Sequence, residues 1–141
     1  MDTSPQKRIV RRFYEEVVNT GDVTRIAELI SPECIEMDGN TPLASGIEGV
    51  VNHVRGVRTT FPDLHLTVER QIAEGDWVVT VITARGTHQG MWLGMKPTGQ
   101  KLVFTGVNVD KVIDGRIVEH GGAANMLGPL LEAGALRVVP E

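Results

Sequence analysis

The stretch KLVFTGVNVDKVIDGRIVEH, Lys101 to His120, decides the fold. Its first half alternates strictly: Val103, Thr105, Val107 and Val109 share one side, while Phe104, Gly106, Asn108 and Asp110 share the other, the period of two that marks a β-strand. Asp114 and Gly115 then supply a tight turn before a second strand-like run, which predicts a β-hairpin. Immediately upstream, LHLTVERQIAEGDWVVTVITARGTHQG (64–90) repeats the device around Gly75 and Asp76, so the middle and end of the chain read as an antiparallel meander. One face of the central strand is apolar and β-branched and the other is mixed. If helices enclose a pocket against the mixed face, the apolar face needs another cover, and a second subunit is the simplest candidate.

Working back toward the N-terminus, the pattern changes to helical spacing. Ser4 and Pro5 open a first helix, which runs to about Thr20 with Ile9, Val10, Phe13, Val17 and Val18 as its apolar stripe, Tyr14 beside it and Gly21 as its C-terminal cap. A short second helix is expected around Val23 to Ile30, stopped by Pro32. CIEMDGN (34–40) reads as an extended segment ending in a turn, and GIEGVVNHVRGVRTTF (46–61) as a third helix, ended by Pro62. The chain closes with ANMLGPLLEAGAL (124–136), weakly helical and interrupted by Gly128 and Pro129. Helices first and strands afterwards predict an α+β arrangement with helices on one face of a mostly antiparallel sheet.

Composition narrows the function classes. The 141 residues suit one domain spanning 1–141, with 41% hydrophobic and 23% charged residues as in ordinary globular proteins. A formal charge of −4 and the lack of a basic tract interleaved with aromatics disfavour nucleic acid. Cys34 has no partner for an internal disulfide, and its ordinary reading is a small buried hydrophobe. The sequence MDTSPQKRIVRRFYEEVV (1–18) lacks a secretory apolar stretch, and the run WVVTVITA (77–84) falls far short of a membrane span. A cytoplasmic protein with a small-molecule or protein partner and no membrane association is expected.

Three segments in this order, NTGDVTRIAELISPE (19–33), GTHQGMWLGMKPTGQKLVFTGVNV (86–109) and DGRIVEHGG (114–122), closely resemble the SnoaL-like polyketide cyclases of the nuclear transport factor 2-like superfamily, which also includes ketosteroid isomerases. The resemblance runs from about Ile9 to Leu136. It implies a cone-shaped, curved antiparallel β-sheet wrapped around a long N-terminal helix (an α+β barrel), no metal or organic cofactor, and a homodimer formed through the outer sheet face. The activity implied is ring closure of a hydrophobic polyketide-type intermediate in a preformed pocket, by acid/base help and conformational templating, including cycloaddition. Isomerase, epoxide hydrolase or hydroxylase chemistry in the same fold, or a non-catalytic ligand-binding module, are the alternatives.

Four residues are the catalytic candidates. Asp38 ends an extended segment before Gly39, where it either makes an Asx turn or points into a pocket that desolvates it; the resemblance places it at the general-base aspartate of ketosteroid isomerases. Tyr14 reads as a core tyrosine, and the same alignment puts it at an oxyanion-binding tyrosine. Asn108 falls where those isomerases keep a protonated acid, and an amide donates without a shifted pKa. His120 is either a structural histidine or a proton shuttle. Two residues later, Gly122 stands where the aromatic polyketide cyclases carry their acid, so Gly121, Gly122 and Ala124 predict a hollowed strand end and an enlarged pocket. Trp92, Met91, Met95, Phe104, Gly122, Asn125 and Met126 are the candidate substrate-binding residues, although for Asn125 the leading reading is the cap of the last helix. His88 is expected to be structural, and His53 and His65 to lie at the surface or the pocket rim, without metal-ligand partners at useful spacing.

Overall fold

A computed structural model describes residues 4–141. Helix α1 (Pro5–Arg12) opens as the sequence predicts: Ser4 is the N-cap and Pro5 occupies the first turn. It continues into a π-helical turn, Phe13–Val18, in which the Asn19 amide reaches back to Tyr14 O. That wider turn places Phe13, Tyr14 and Val17 together in the interior. Asn19 then fastens the helix end to the sheet, its side chain donating to Leu66 O and accepting from Leu66 N.

The expected second helix is reduced to a single 3₁₀ turn, Ile26–Glu28. Ile30 instead begins strand β1 (Ile30–Asp38), because Leu29 O accepts from Ile117 N and Ile30 pairs with Ile117. A tight turn leads to β2 (Thr41–Ala44), followed by α2 (Gly46–Thr60), β3 (His65–Glu74), β4 (Trp77–Thr87), β5 (Lys101–Ile113), β6 (Arg116–Ala124) and α3 (Leu127–Glu132). Gly128 and Pro129 do not interrupt α3 but lie in its first turn, where a missing proline N–H costs nothing.

The six strands form one sheet in the order β2-β1-β6-β5-β4-β3. Both hairpins of the meander are antiparallel, as the turn residues require, but β1 lies parallel to β6. The sheet is therefore mixed rather than antiparallel, and it is an open curved sheet with β2 and β3 as edges, not a closed barrel.

β5 follows its alternation: Leu102, Phe104, Asp110 and Val112 are buried, while Val103, Val107 and Val109 stand on the outer face at 48%, 41% and 38% exposure. The inner face packs on α1, its π turn and α2 through Val10, Phe13, Val17, Val50 and Val54. Burial of each such side chain contributes about 1.5–3 kcal/mol. No helix among the described residues is long and apolar enough to cross a membrane.

Candidate active site

The concave face of the sheet and α2 enclose a chamber of about 410 Å³, walled by Phe13, Val54, Phe61, Ile82, Trp92 and Phe104. Its polar groups gather at one end, where Tyr14, Glu36, His53, Asn108 and His120 also line it. A shallower mouth of about 400 Å³ shares Glu36, His53, Asn108 and His120 with the chamber and extends over Asp38, Leu43 and Gly121–Ala124. Among the described residues no lysine or arginine lines either space. No group of three metal-ligating side chains occurs there either.

The bulge in β6 sets the chemistry. Val112 pairs with Ile117 and Lys111 with Glu119, so Val118 is left as an extra residue. Strict alternation from the buried Ile117 would send position 120 outward; the extra residue turns His120 back to the inner face. There it stands directly opposite Asp110, and its Nδ1 lies 2.5 Å from Asp110 Oδ1. Tyr14 donates to the other carboxylate oxygen at 2.8 Å. Asp110 is completely buried, a carboxylate tolerated there because both oxygens are satisfied.

The three groups act on one another. Burial pushes the Tyr14 hydroxyl far up, the Asp110 charge and hydrogen bond push it further, and Asn108 works weakly the other way, so Tyr14 is a fixed neutral donor. For His120, burial favours the neutral ring, but the Asp110 charge, its hydrogen bond and the Glu36 charge outweigh it and leave the pKa raised. An imidazole whose Nδ1 is given to Asp110 keeps Nε2 for the cavity, and the raised pKa makes it a readier proton carrier than a free histidine.

Each expected site residue can now be placed. Tyr14, Asn108 and His120 converge at the polar end, but the Tyr14 proton is committed to Asp110, which makes Tyr14 a positioning residue rather than an oxyanion donor. Asp38 does not enter the chamber: it is exposed at the end of β1 and borders only the mouth. Two residues earlier, Glu36 is half-buried and lines both spaces.

The glycine pair does not hollow out the strand. A Cβ on Gly122 would meet Asn108 Oδ1 at 2.3 Å and Val107 O at 2.6 Å, and one on Gly121 would meet Met37 Cβ at 2.8 Å. Gly122 is the seat of the Asn108 amide.

Trp92, Phe104 and Met126 line the chamber, Trp92 edge-on to Phe61 and Phe104. Met91, 60% exposed, and Met95 do not. Asn125 is exposed and is not the cap of α3, a position taken by Met126; its backbone N–H donates to Thr105 O. His88 is buried, with Nδ1 accepting from the Thr98 amide and 3.0 Å from its hydroxyl, so it closes the loop that carries Trp92. His53 and His65 are exposed, His53 at the rim.

The sequence reading passed over Asp110 and Glu36. For Asp110 the signal was present: it shares the inner face of β5 with Phe104 and Asn108, so an acid there had to be buried and partnered.

Known proteins resemble this chain in sequence and fold. The family model described as "SnoaL-like polyketide cyclase" matches residues 8–132. Aklanonic acid methyl ester cyclase DauD of Streptomyces sp. (strain C5) is 28% identical over 141 residues, covering 98% of this chain and 87% of that protein. Nogalonic acid methyl ester cyclase of Streptomyces nogalater is 28% identical over 118 residues, covering 82% and 88%. Among solved structures, AclR of Streptomyces galilaeus, a candidate hydroxylase, superposes with a TM-score of 0.83 at 32% identity, covering 96% of this chain and 85% of that one.

Proposed function

The chain belongs to the SnoaL-like polyketide cyclase family, and from that premise we propose that it is a ring-closing enzyme acting on a hydrophobic polyketide-type intermediate in antibiotic biosynthesis. The observation that carries this reading is the Asp110-held imidazole of His120 at the polar end of an otherwise apolar chamber. The aromatic and aliphatic walls hold the flexible chain folded on itself, which converts an improbable encounter of its ends into a local one.

His120 supplies the proton. As a nucleophilic carbon of the substrate attacks a carbonyl carbon, the carbonyl oxygen gains charge, and His120 Nε2–H donates to it. Asp110 holds the ring in the donating orientation and stabilises its cation; Tyr14 fixes Asp110; Asn108, seated over Gly122, offers an amide to the same oxygen or to a neighbouring one. We further place the protein in the cytoplasm as a single domain and as a homodimer, with the outer-face valines of β5 covered by a second copy. The support for the dimer is their exposure.

The test is product analysis with the purified protein on aklanonic acid methyl ester and nogalonic acid methyl ester. Ring closure yields an isomer of unchanged mass with a new carbon–carbon bond, lost in His120→Ala. Products that gain water or an oxygen atom would contradict it in favour of hydrolase or hydroxylase chemistry.

A further inference from the structure

The Asp110–His120 pair offers a proton donor, but ring closure at carbon also needs an acceptor for a carbon-bound proton. Asp110 cannot serve, because it is sealed from the cavity and both of its oxygens are engaged. Resting on the ring-closure reading, we propose that Glu36 is the general base that removes that proton.

Four observations converge on Glu36. Among the described residues it is the one carboxylate that lines the apolar chamber. It pairs directly with His120 across the parallel β1–β6 ladder, so base and acid flank the same end of the cavity. It sits where chamber and mouth meet, beside the apolar walls that would hold the substrate carbon and open enough to return a proton to water. Among the described residues no lysine or arginine lines either space to hold it in a permanent ion pair; the basic groups there are His53 and His120, and the Glu36 charge helps to raise the pKa of His120. Asp38, on the same strand, lies beyond this junction in solvent.

The step balances without a co-reactant. The C–H bond of a methylene beside a carbonyl breaks, its proton goes to a Glu36 carboxylate oxygen, and its electron pair forms the new bond to the second carbonyl carbon. The π electrons of that carbonyl move to oxygen, which takes the proton from His120 Nε2. Water at the mouth carries the proton from Glu36 back to His120.

The experiment separates this proposal from the cyclase reading by using a carbon acid that cannot cyclise. The protein and its variants are incubated with 2-tetralone in D₂O, and deuterium incorporation beside the carbonyl is followed by NMR across pH. Wild type is expected to accelerate exchange. Glu36→Gln should lower the rate roughly 100-fold, Glu36→Asp should restore part of it, and Glu33→Gln, exposed on the same strand, should leave it unchanged. Circular dichroism and unchanged 2-tetralone binding show that Glu36→Gln remains folded.

Exchange that is as fast in Glu36→Gln as in wild type, an absence of acceleration by wild type, or a loss carried by Asp38→Asn instead overturns the assignment. Exchange through Glu36 without ring closure of the polyketide esters would sink the cyclase reading and leave Glu36 as the base. Ring closure that survives Glu36→Gln would do the reverse.

Discussion

Asp110 and His120 stand opposite each other across the β5–β6 pair, Nδ1 lying 2.5 Å from Oδ1, while Tyr14 holds the other carboxylate oxygen at 2.8 Å. The two contacts give each oxygen of the buried acid one partner. Tyr14→Phe removes one of them while keeping the ring that packs beside Phe13. A hydrogen bond to a buried charge is worth about 1.5–3 kcal/mol, and the loss falls on Asp110 as an unsatisfied oxygen. Urea denaturation should show a lower midpoint with an unchanged slope; an unchanged midpoint would mean that the hydroxyl contributes nothing to the pair.

The sign of the pH dependence follows from His120. Its folded pKa is raised above the ordinary 6.5 of histidine, so the folded state holds its proton more tightly than the unfolded chain. The stabilisation is therefore complete below about pH 6.5 and is lost as pH rises through the higher folded value. Thermal scans should show the melting temperature falling over that window in wild type, and Asp110→Asn should flatten the fall. A melting temperature that rises across the same window would contradict the raised pKa.

Gly122 makes a separate prediction. Gly122→Ala puts a methyl group 2.3 Å from Asn108 Oδ1 and 2.6 Å from Val107 O, and the second of these is backbone. Overpacking of this kind costs about 1–3 kcal/mol. The double variant Gly122→Ala/Asn108→Ala should recover part of that loss, since it relieves only the side-chain clash. Gly122→Asp should likewise destabilise rather than add an acid to the pocket. Full stability in both single variants would show that β5 and β6 separate freely here.

The outer face of β5 is tested by size. With Val103, Val107 and Val109 exposed, sedimentation at micromolar concentration should give a dimer, and Val107→Glu a monomer. A wild-type monomer under those conditions would contradict the proposed interface.

How much of this could be read from the sequence depends on whether the determining contact is local. Strands β3 to β6 and their turns were legible because alternation and turn residues act over a few positions; Asp114 and Gly115 both adopt positive φ, as a tight hairpin turn demands. The segment from Val23 to Ile30 misled because Ile26, Leu29 and Ile30 have helical spacing, while the contact that makes Ile30 a strand residue is to Ile117, far along the chain. The parallel β1–β6 pairing has the same non-local origin.

Within the site, Asn108 and His120 were legible as inward polar residues, although the route differed. His120 faces inward because of the Val118 bulge, which no alternation pattern reveals. Asp38 and Glu36 alternate to the same side of β1, and only the three-dimensional edge of the chamber separates them: Glu36 lines it, while Asp38 borders the mouth alone. Gly122 was read as space, whereas the space belongs to Asn108.

The central claim is that His120 is a proton donor at the chamber wall, held by Asp110, which raises its pKa. Long-range ¹H–¹⁵N spectra of His120 recorded against pH test it directly. The account predicts a ring protonated beyond pH 6.5, its ordinary midpoint, with the Nδ1 proton retained toward Asp110, and a midpoint that drops in Asp110→Asn. A ring that titrates at or below the ordinary value, indifferent to Asp110→Asn, would contradict it.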